Sequence, residues 1–76
     1  MTNKKQETLI NSNYPAFLEE GYSFLEEINI DESGKCLKDR VNFLEKSGLE
    51  VKVGMLAFDE NGDINYHKRI IFTKEK

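Results

Sequence analysis

The dipeptide Asn61-Gly62 is the feature that most constrains the fold, because it separates two segments whose apolar residues alternate with polar or small ones. Asn-Gly between such segments is the strongest short-range signal of a β-hairpin with a type I′ turn. That turn would pair Val53 with Ile70 and Val51 with Phe72, which gathers apolar side chains of both strands on one face. We therefore predict a C-terminal antiparallel hairpin in this register.

Residues 13–27 are predicted to form an amphipathic helix upstream of the hairpin. Asn13 is a good capping residue, and Pro15 is tolerated in the first turn, where its missing amide would have no partner. Apolar residues between Tyr14 and Ile28 fall on one arc of a helical projection. The opposite side carries Glu19, Glu20, Glu26 and Glu27. This acidic helix face is a candidate surface for binding a basic partner.

A second helix is predicted to begin after Asp31 or Ser33, either of which suits a cap. It should end at Gly48, because glycine readily adopts the left-handed conformation that closes a helix. The apolar residues at helical spacing are Leu37, Val41 and Leu44. Cys36 and Phe43 flank the same arc, so we expect Cys36 to be a small buried apolar group.

Together these elements predict one α+β domain over residues 13–76, with two helices packed on one face of the hairpin. Residues 1–12 are mostly polar and are expected to form a flexible arm, with a short third strand at Thr8 to Ile10 as the alternative. The expected core consists of Val51, Val53, Met55, Ile70 and Phe72 beneath Phe17, Leu18, Leu25, Ile28, Leu37, Val41 and Leu44.

The second face of the hairpin is the main candidate for binding a partner. In the predicted register it carries large apolar residues that two helices on the other face would leave exposed. An apolar patch with a basic rim is typical of a protein-binding or self-association surface, so a homodimer is one form of this prediction. The residues are Leu56, Phe58 and Ile71, with Lys52, His67 and Arg69 at the rim.

The sequence offers little for catalysis or metal binding. The run from Asp59 to Asp63 begins like an EF-hand calcium loop, but Ile64 stands where glycine is needed and Ile70 stands where a bidentate glutamate is needed. We expect no metal and no cofactor. The single cysteine, Cys36, could react as a thiolate beside Arg40, but no general base is placed near it in the sequence. A thiol-based redox protein remains a minor alternative.

The charges are unevenly distributed along the chain. The net charge is −3 overall, −3 over residues 1–30 and +3 over residues 64–76. A net negative charge argues against a general nucleic-acid-binding protein. The alternative of nucleic-acid binding would use the basic end strand, which carries Tyr66, His67, Lys68, Arg69, Lys74 and Lys76.

The sequence predicts a cytoplasmic location. It has no signal-peptide core and no membrane span, and its single cysteine suits a reducing compartment.

These observations favour a small non-enzymatic protein that binds another protein as an adaptor, regulator or inhibitor. The surfaces expected to do so are the outer face of the hairpin and the acidic helix face. Catalytic residues are not expected, because a nucleophile, a metal cluster or a phosphate loop needs more than one cysteine, one histidine and five scattered glycines.

Overall fold

The computed structural model describes residues 4–55, 57 and 61–76. Three strands form one antiparallel sheet in the order β1-β3-β2. This confirms the α+β class and the antiparallel pairing of the two C-terminal strands. In chain order the elements are α1 (Lys4–Asn13), α2 (Pro15–Glu19), β1 (Ser23–Asn29), α3 (Lys35–Lys46), β2 (Leu49–Gly54) and β3 (Lys68–Glu75).

The helix predicted over residues 13–27 is wrong beyond Glu19. Helix α2 ends at Glu19, and Gly21 then takes a φ of +94°, which turns the chain out of the helical path. Residues Ser23–Asn29 form strand β1, which pairs along β3. The apolar spacing that suggests a helix here also suits a strand that is covered on both faces, and pairing with β3 decides between them.

The N-terminal segment is helical from Lys4 to Asn13, where an arm was expected. Ile10 of this helix is buried in the core. The third strand of the sheet is therefore β1, and Thr8 to Ile10 do not form one. Helices α1 and α2 are separated only by Tyr14, whose amide donates to the Ile10 carbonyl at 2.9 Å.

The predicted hairpin register is wrong by one residue. Val53 lies opposite Ile71, and Lys52 lies opposite Phe72. Gly62 has a φ of +88°, but Asn61 does not have a positive φ, so the two residues do not form a type I′ turn. A long connection, residues 55–67, joins the two strands. A turn that is not tight cannot set the register, so packing on the faces of the sheet sets it.

The helices are divided between the two faces of the sheet. Along β3, Ile70 and Phe72 point to one face and Ile71 points to the other. The first face packs against α1 and α2 in a core of Ile10, Tyr14, Tyr22, Ala57, Ile70 and Phe72, with Phe17, Leu18 and Phe24 partly buried against it. On the second face, Glu26 lies opposite Ile71 and forms an ion pair with Arg40 of α3, so α3 covers this face.

Most of the predicted core residues are at least half-buried, and two are not. Ile70, Phe72 and Leu44 are buried as predicted. Met55 and Leu25 are exposed, so their assignment to the core is wrong. Met55 follows the last residue of β2, and Leu25 lies at a bulge in β1, where the register with β3 shifts between Phe24 and Glu26.

Helix α3 agrees with the second predicted helix. Gly48 has the predicted left-handed conformation, with a φ of +94°. At the start of the helix the N-cap is Gly34, with a φ of +70°. The Ser33 hydroxyl accepts a hydrogen bond from the Lys35 amide at 3.2 Å and donates to Asp31 at 3.1 Å. The prediction that Asp31 or Ser33 is the cap is therefore wrong, and both residues instead order the turn just before the helix.

Candidate functional site

One of the three apolar residues predicted on the outer face of the hairpin, Ile71, is not exposed. Ile71 is fully buried, because α3 covers the face of the sheet that was expected to be exposed. Leu56 and Phe58 lie outside the described residues. His67 is exposed, as expected. The predicted patch therefore loses an apolar member that was expected to anchor a partner.

Arg69 is half-buried, and its side chain forms hydrogen bonds with backbone carbonyls of neighbouring residues. Its Nη1 atom donates to the carbonyl of Tyr66 at 3.0 Å and to the carbonyl of Lys68 at 2.9 Å. Hydrogen bonds from a charged donor are stronger than those between neutral groups. Arg69 therefore holds the last turn of the connection against the start of β3.

The acidic helix face is also absent, since its four glutamates lie in two different elements. Glu19 and Glu20 are at the end of α2, and Glu26 and Glu27 are in β1, pointing to opposite faces of the sheet. Glu26 accepts a hydrogen bond from Arg40 Nε at 2.5 Å. Arg40 is therefore paired with a carboxylate of the same chain, and the contact joins α3 to β1.

Glu20 forms an ion pair with Lys52 at 2.6 Å. This pair joins the end of α2 to the middle of β2. The hydrogen bond from the ammonium group, together with its charge, lowers the pKa of Glu20. The same hydrogen bond raises the pKa of Lys52. Both groups are thus held in their charged forms at neutral pH.

Two lysines lie over the aromatic rings at this end of the sheet. Lys52 Nζ is 5.1 Å from the ring centre of Phe17 and 5.2 Å from that of Tyr22. Lys74 Nζ is 4.8 Å from the ring centre of Tyr22, and it donates to the Glu20 carbonyl at 3.1 Å. Cation–π contacts of this kind favour lysines that lie along the sheet over lysines that extend into solvent.

Two lysines of the basic end strand lie beside carboxylates of the same chain. Lys68 is 3.6 Å from Glu27, whose side chain is only 16% exposed, and Lys74 is 3.6 Å from Glu50. Because β1 pairs with β3, the acidic N-terminal part of the sequence lies beside the basic C-terminal part. The separation of charge along the sequence is therefore not a separation of charge across the molecule.

Cys36 is exposed, so the expectation of a buried structural cysteine is wrong. It lies in the first turn of α3. Among residues 4–55, 57 and 61–76, no group of three or more histidine, cysteine, aspartate or glutamate side chains is placed to hold a metal ion.

The exposed large apolar side chains are concentrated in the connection between β2 and β3. Among the described residues, Met55 is 64% exposed, Ile64 is 39% exposed and Tyr66 is 74% exposed. Outside the connection, the described residues include two other exposed large apolar side chains, Phe43 of α3 at 59% and Leu25 of β1 at 41%. We refer to Met55, Ile64, Tyr66 and the exposed His67 as the connection surface.

The connection is tied to the sheet by backbone and side-chain hydrogen bonds. The backbone amide of Asn65 donates a hydrogen bond to the Ala57 carbonyl at 2.8 Å. The side-chain oxygen of Asn65 accepts a hydrogen bond from the backbone amide of His67 at 2.9 Å. The His67 carbonyl accepts from the Ile30 amide at 2.8 Å, just beyond the end of β1. Tyr66 and His67 are therefore held at the end of the sheet where β1 and β2 stop and β3 begins.

The sequence signal for the connection surface is weak. Met55 continues the alternation of Val51 and Val53, so the sequence predicts that it belongs to the strand. Gly54, which lies just before it, is the one hint that the strand stops there, since glycine weakens a strand interior. Tyr66, His67 and Arg69 were singled out in the sequence as part of a basic strand, and the structure places the first two in the connection.

Comparison with protein-family models, curated proteins and solved structures gives no match to this chain. In the part of the chain that the structure describes, no helix has both the length and the apolar character needed to cross a bilayer.

Proposed function

We propose that this protein acts by binding another protein through the connection surface, without catalysing a reaction itself. The observation that carries the proposal is the exposure of Met55, Ile64 and Tyr66 within one connection. Single apolar residues are normal on a protein surface, but three of the five exposed large apolar residues in the described ranges lie in this one connection. Tyrosine and methionine are also enriched in protein interfaces.

The position and length of the connection support this proposal. Loops carried by a rigid scaffold are common sites of binding, and ordinary connections between strands are much shorter than residues 55–67. The hydrogen bonds of Asn65 and Arg69 hold the described part of the connection in place before a partner arrives. A surface that is already ordered loses less conformational entropy on binding.

Tyr66 is the residue that we expect to contribute most. It has the largest exposed fraction of the five exposed apolar residues in the described ranges. A tyrosine that enters a partner's pocket buries a large area and loses few rotamers, which is why tyrosines are frequent at the energetic centre of interfaces. Its neighbour His67 would lie at the rim, where a polar group can remain partly hydrated.

Nucleic-acid binding is less well supported than protein binding. Lys68, Arg69 and Lys74 already have partners within the chain. Releasing these lysines and this arginine to bind phosphate would break existing contacts. Binding to nucleic acid would also fall steeply with salt, which a titration would reveal.

The test is an affinity capture from the source cells with three baits: the parent protein, Tyr66→Ala and Phe43→Ala. Phe43 is the matched control, because it is an exposed aromatic residue on α3, outside the connection. We expect at least one protein to be retained by the parent and by Phe43→Ala and lost by Tyr66→Ala.

The retained protein should then be purified and its affinity measured by calorimetry. Tyr66→Ala should weaken binding at least tenfold, which corresponds to about 1.4 kcal/mol and is typical of an interface anchor. If every retained protein binds Tyr66→Ala and Met55→Ser as tightly as the parent, the connection surface is not the binding site and the proposal fails.

A further inference from the structure

Strand β2 is an edge of the sheet that differs from the other edge strand. Within the described residues it pairs with β3 alone, in an unbroken register from Leu49 to Gly54. Every second residue of an edge strand presents its amide and carbonyl outward, where another strand can pair with them. Such an edge is usually blocked by a bulge, a proline or an outward-pointing charge.

Strand β1, at the opposite edge, has such protection. Its register with β3 shifts between Phe24 and Glu26, which is a bulge that bends the strand. It also carries adjacent glutamates, Glu26 and Glu27, which would oppose each other when two β1 strands pair antiparallel over most of their length. Strand β2 has no register shift, so the two edges are not equivalent.

The order of residues in β2 is complementary to itself in the antiparallel direction. If Val51 of one copy lies opposite Val51 of another, then Leu49 lies opposite Val53 and Glu50 lies opposite Lys52. The apolar pairs fall on the α3 face of the sheet and the charged pairs fall on the α1 and α2 face. Opposite charges directly across a strand pair stabilise it, and like charges destabilise it.

We propose that two copies of this chain associate through their β2 edges, antiparallel and with Val51 on the two-fold axis, to form one six-stranded sheet. This interface is isologous, so the association closes at a dimer. It is separate from the connection surface and does not depend on the proposed function.

Lys52 does not block this edge, although lysine often protects one. Its ammonium group is 2.6 Å from Glu20 and lies over the rings of Phe17 and Tyr22. The side chain therefore extends along the face of the sheet toward α2. In the dimer, Glu50 of the second copy would join a row of alternating charges that already contains Lys52 and Glu20.

Cross-linking tests the register directly. In a Cys36→Ser background, which removes the exposed native thiol, Glu50→Cys and Lys52→Cys are prepared as separate proteins. Directly opposite residues have Cβ atoms about 4.5–5.5 Å apart, whereas the same position in the two copies would be about 7–8 Å apart. Mild oxidation of the mixture should therefore give a disulfide between the two variants, while either variant alone should stay uncross-linked.

Sedimentation tests the energetics of the same contact. Glu50→Lys places like charges opposite each other twice in the dimer and should raise the dissociation constant about tenfold. Glu50→Lys combined with Lys52→Glu restores opposite charges across the interface and should recover part of the lost affinity; the recovery is incomplete because each chain then carries like charges beside Glu20 and Lys74. Circular dichroism checks that each variant is folded. Tyr66→Ala should sediment as the parent does, because it lies outside this interface.

The proposal is wrong if the parent protein sediments as a monomer at all concentrations tested. It is also wrong if the variants cross-link equally well alone and mixed, since the register would then differ. Loss of the dimer in Tyr66→Ala would assign self-association to the connection surface instead. The first two outcomes leave capture of a different protein by Tyr66 unaffected, so the two proposals can fail separately.

Discussion

The ring of Tyr14 lies directly against Gly54, so closely that a Cβ atom added at Gly54 would be 2.6 Å from the Tyr14 hydroxyl oxygen. Tyr14 links α1 to α2, and Gly54 is the last residue of β2. The contact therefore joins the N-terminal helices to the edge of the sheet. Tyr14 also packs against Phe72 and Phe17, with ring centres 5.0 Å and 5.4 Å away.

Gly54→Ala should destabilise the protein because the added methyl group overlaps the Tyr14 ring. We expect the free energy of unfolding to fall by about 1–3 kcal/mol, measured by urea denaturation. In a Tyr14→Leu background the same change should cost clearly less. Gly48→Ala is the control: its Cβ would meet nothing within 4 Å, but its φ of +94° strains the backbone. That cost, about 1–2 kcal/mol, should not depend on Tyr14.

Ile71→Ala should be among the most destabilising single changes, because Ile71 is fully buried between the sheet and α3. Truncating a buried isoleucine to alanine costs about 2–5 kcal/mol. Ile64→Ala, in the exposed connection, should change the unfolding free energy by about 0.5 kcal/mol or less. Equal effects of the two changes in urea denaturation would contradict the observed register, in which Ile71 faces Val53.

The Glu20–Lys52 pair predicts a pH dependence at both ends of the scale. The pKa of Glu20 is lowered, so its contribution to stability is present above the unfolded pKa and is lost as pH falls through the folded pKa. The pKa of Lys52 is raised, so its contribution is present below the unfolded pKa and is lost as pH rises through the folded one.

An NMR titration of the Glu20 carboxyl group checks this coupling. In Lys52→Met the pKa of Glu20 should rise toward the ordinary value for glutamate, because its hydrogen-bond donor is gone. Lys38→Met, on the exposed side of α3, is the control and should leave the Glu20 pKa unchanged. A Glu20 pKa that does not respond to Lys52→Met would show that the ion pair does not form in solution.

Cys36 should behave as an exposed residue with no structural role. Cys36→Ala should change the unfolding free energy by no more than about 0.5 kcal/mol. In the native protein its thiol should react with an aromatic disulfide reagent at a rate similar to that of the urea-unfolded chain. Protection of the thiol by a large factor in the native state would place Cys36 in the core and contradict its observed exposure.

Strand β1 shows why part of the fold could not be predicted. The apolar residues from Tyr14 to Ile28 match a helical arc, yet β1 begins at Ser23. A strand that is covered on both faces does not alternate cleanly, so local periodicity cannot distinguish it from a helix. The partner that decides the outcome, β3, lies 39 to 50 residues away in the sequence, from the Asn29–Lys68 pair to the Ser23–Thr73 pair.

The candidate site was harder to predict than the fold. Two of its residues, Tyr66 and His67, were noticed for their chemistry, but Met55 was assigned to the core because it continues an alternating strand. Ile71 was assigned to the surface because the two helices were expected to cover only the opposite face of the hairpin. The structure places α1 and α2 on that face and α3 on the other, so both faces of β3 are buried.

The sequence by itself determined the α+β class, the antiparallel pairing of the last two strands, and helix α3 with the left-handed Gly48 that follows its end. These features depend on contacts and conformations that are close in the chain, where apolar spacing and glycine act directly. Only the tertiary structure decided that Ser23–Asn29 is a strand, that β3 is central, and that Val53 faces Ile71. The physical reason is that a long connection between β2 and β3 does not constrain how the two strands align. Burial of side chains on both faces of β3 then determines their register.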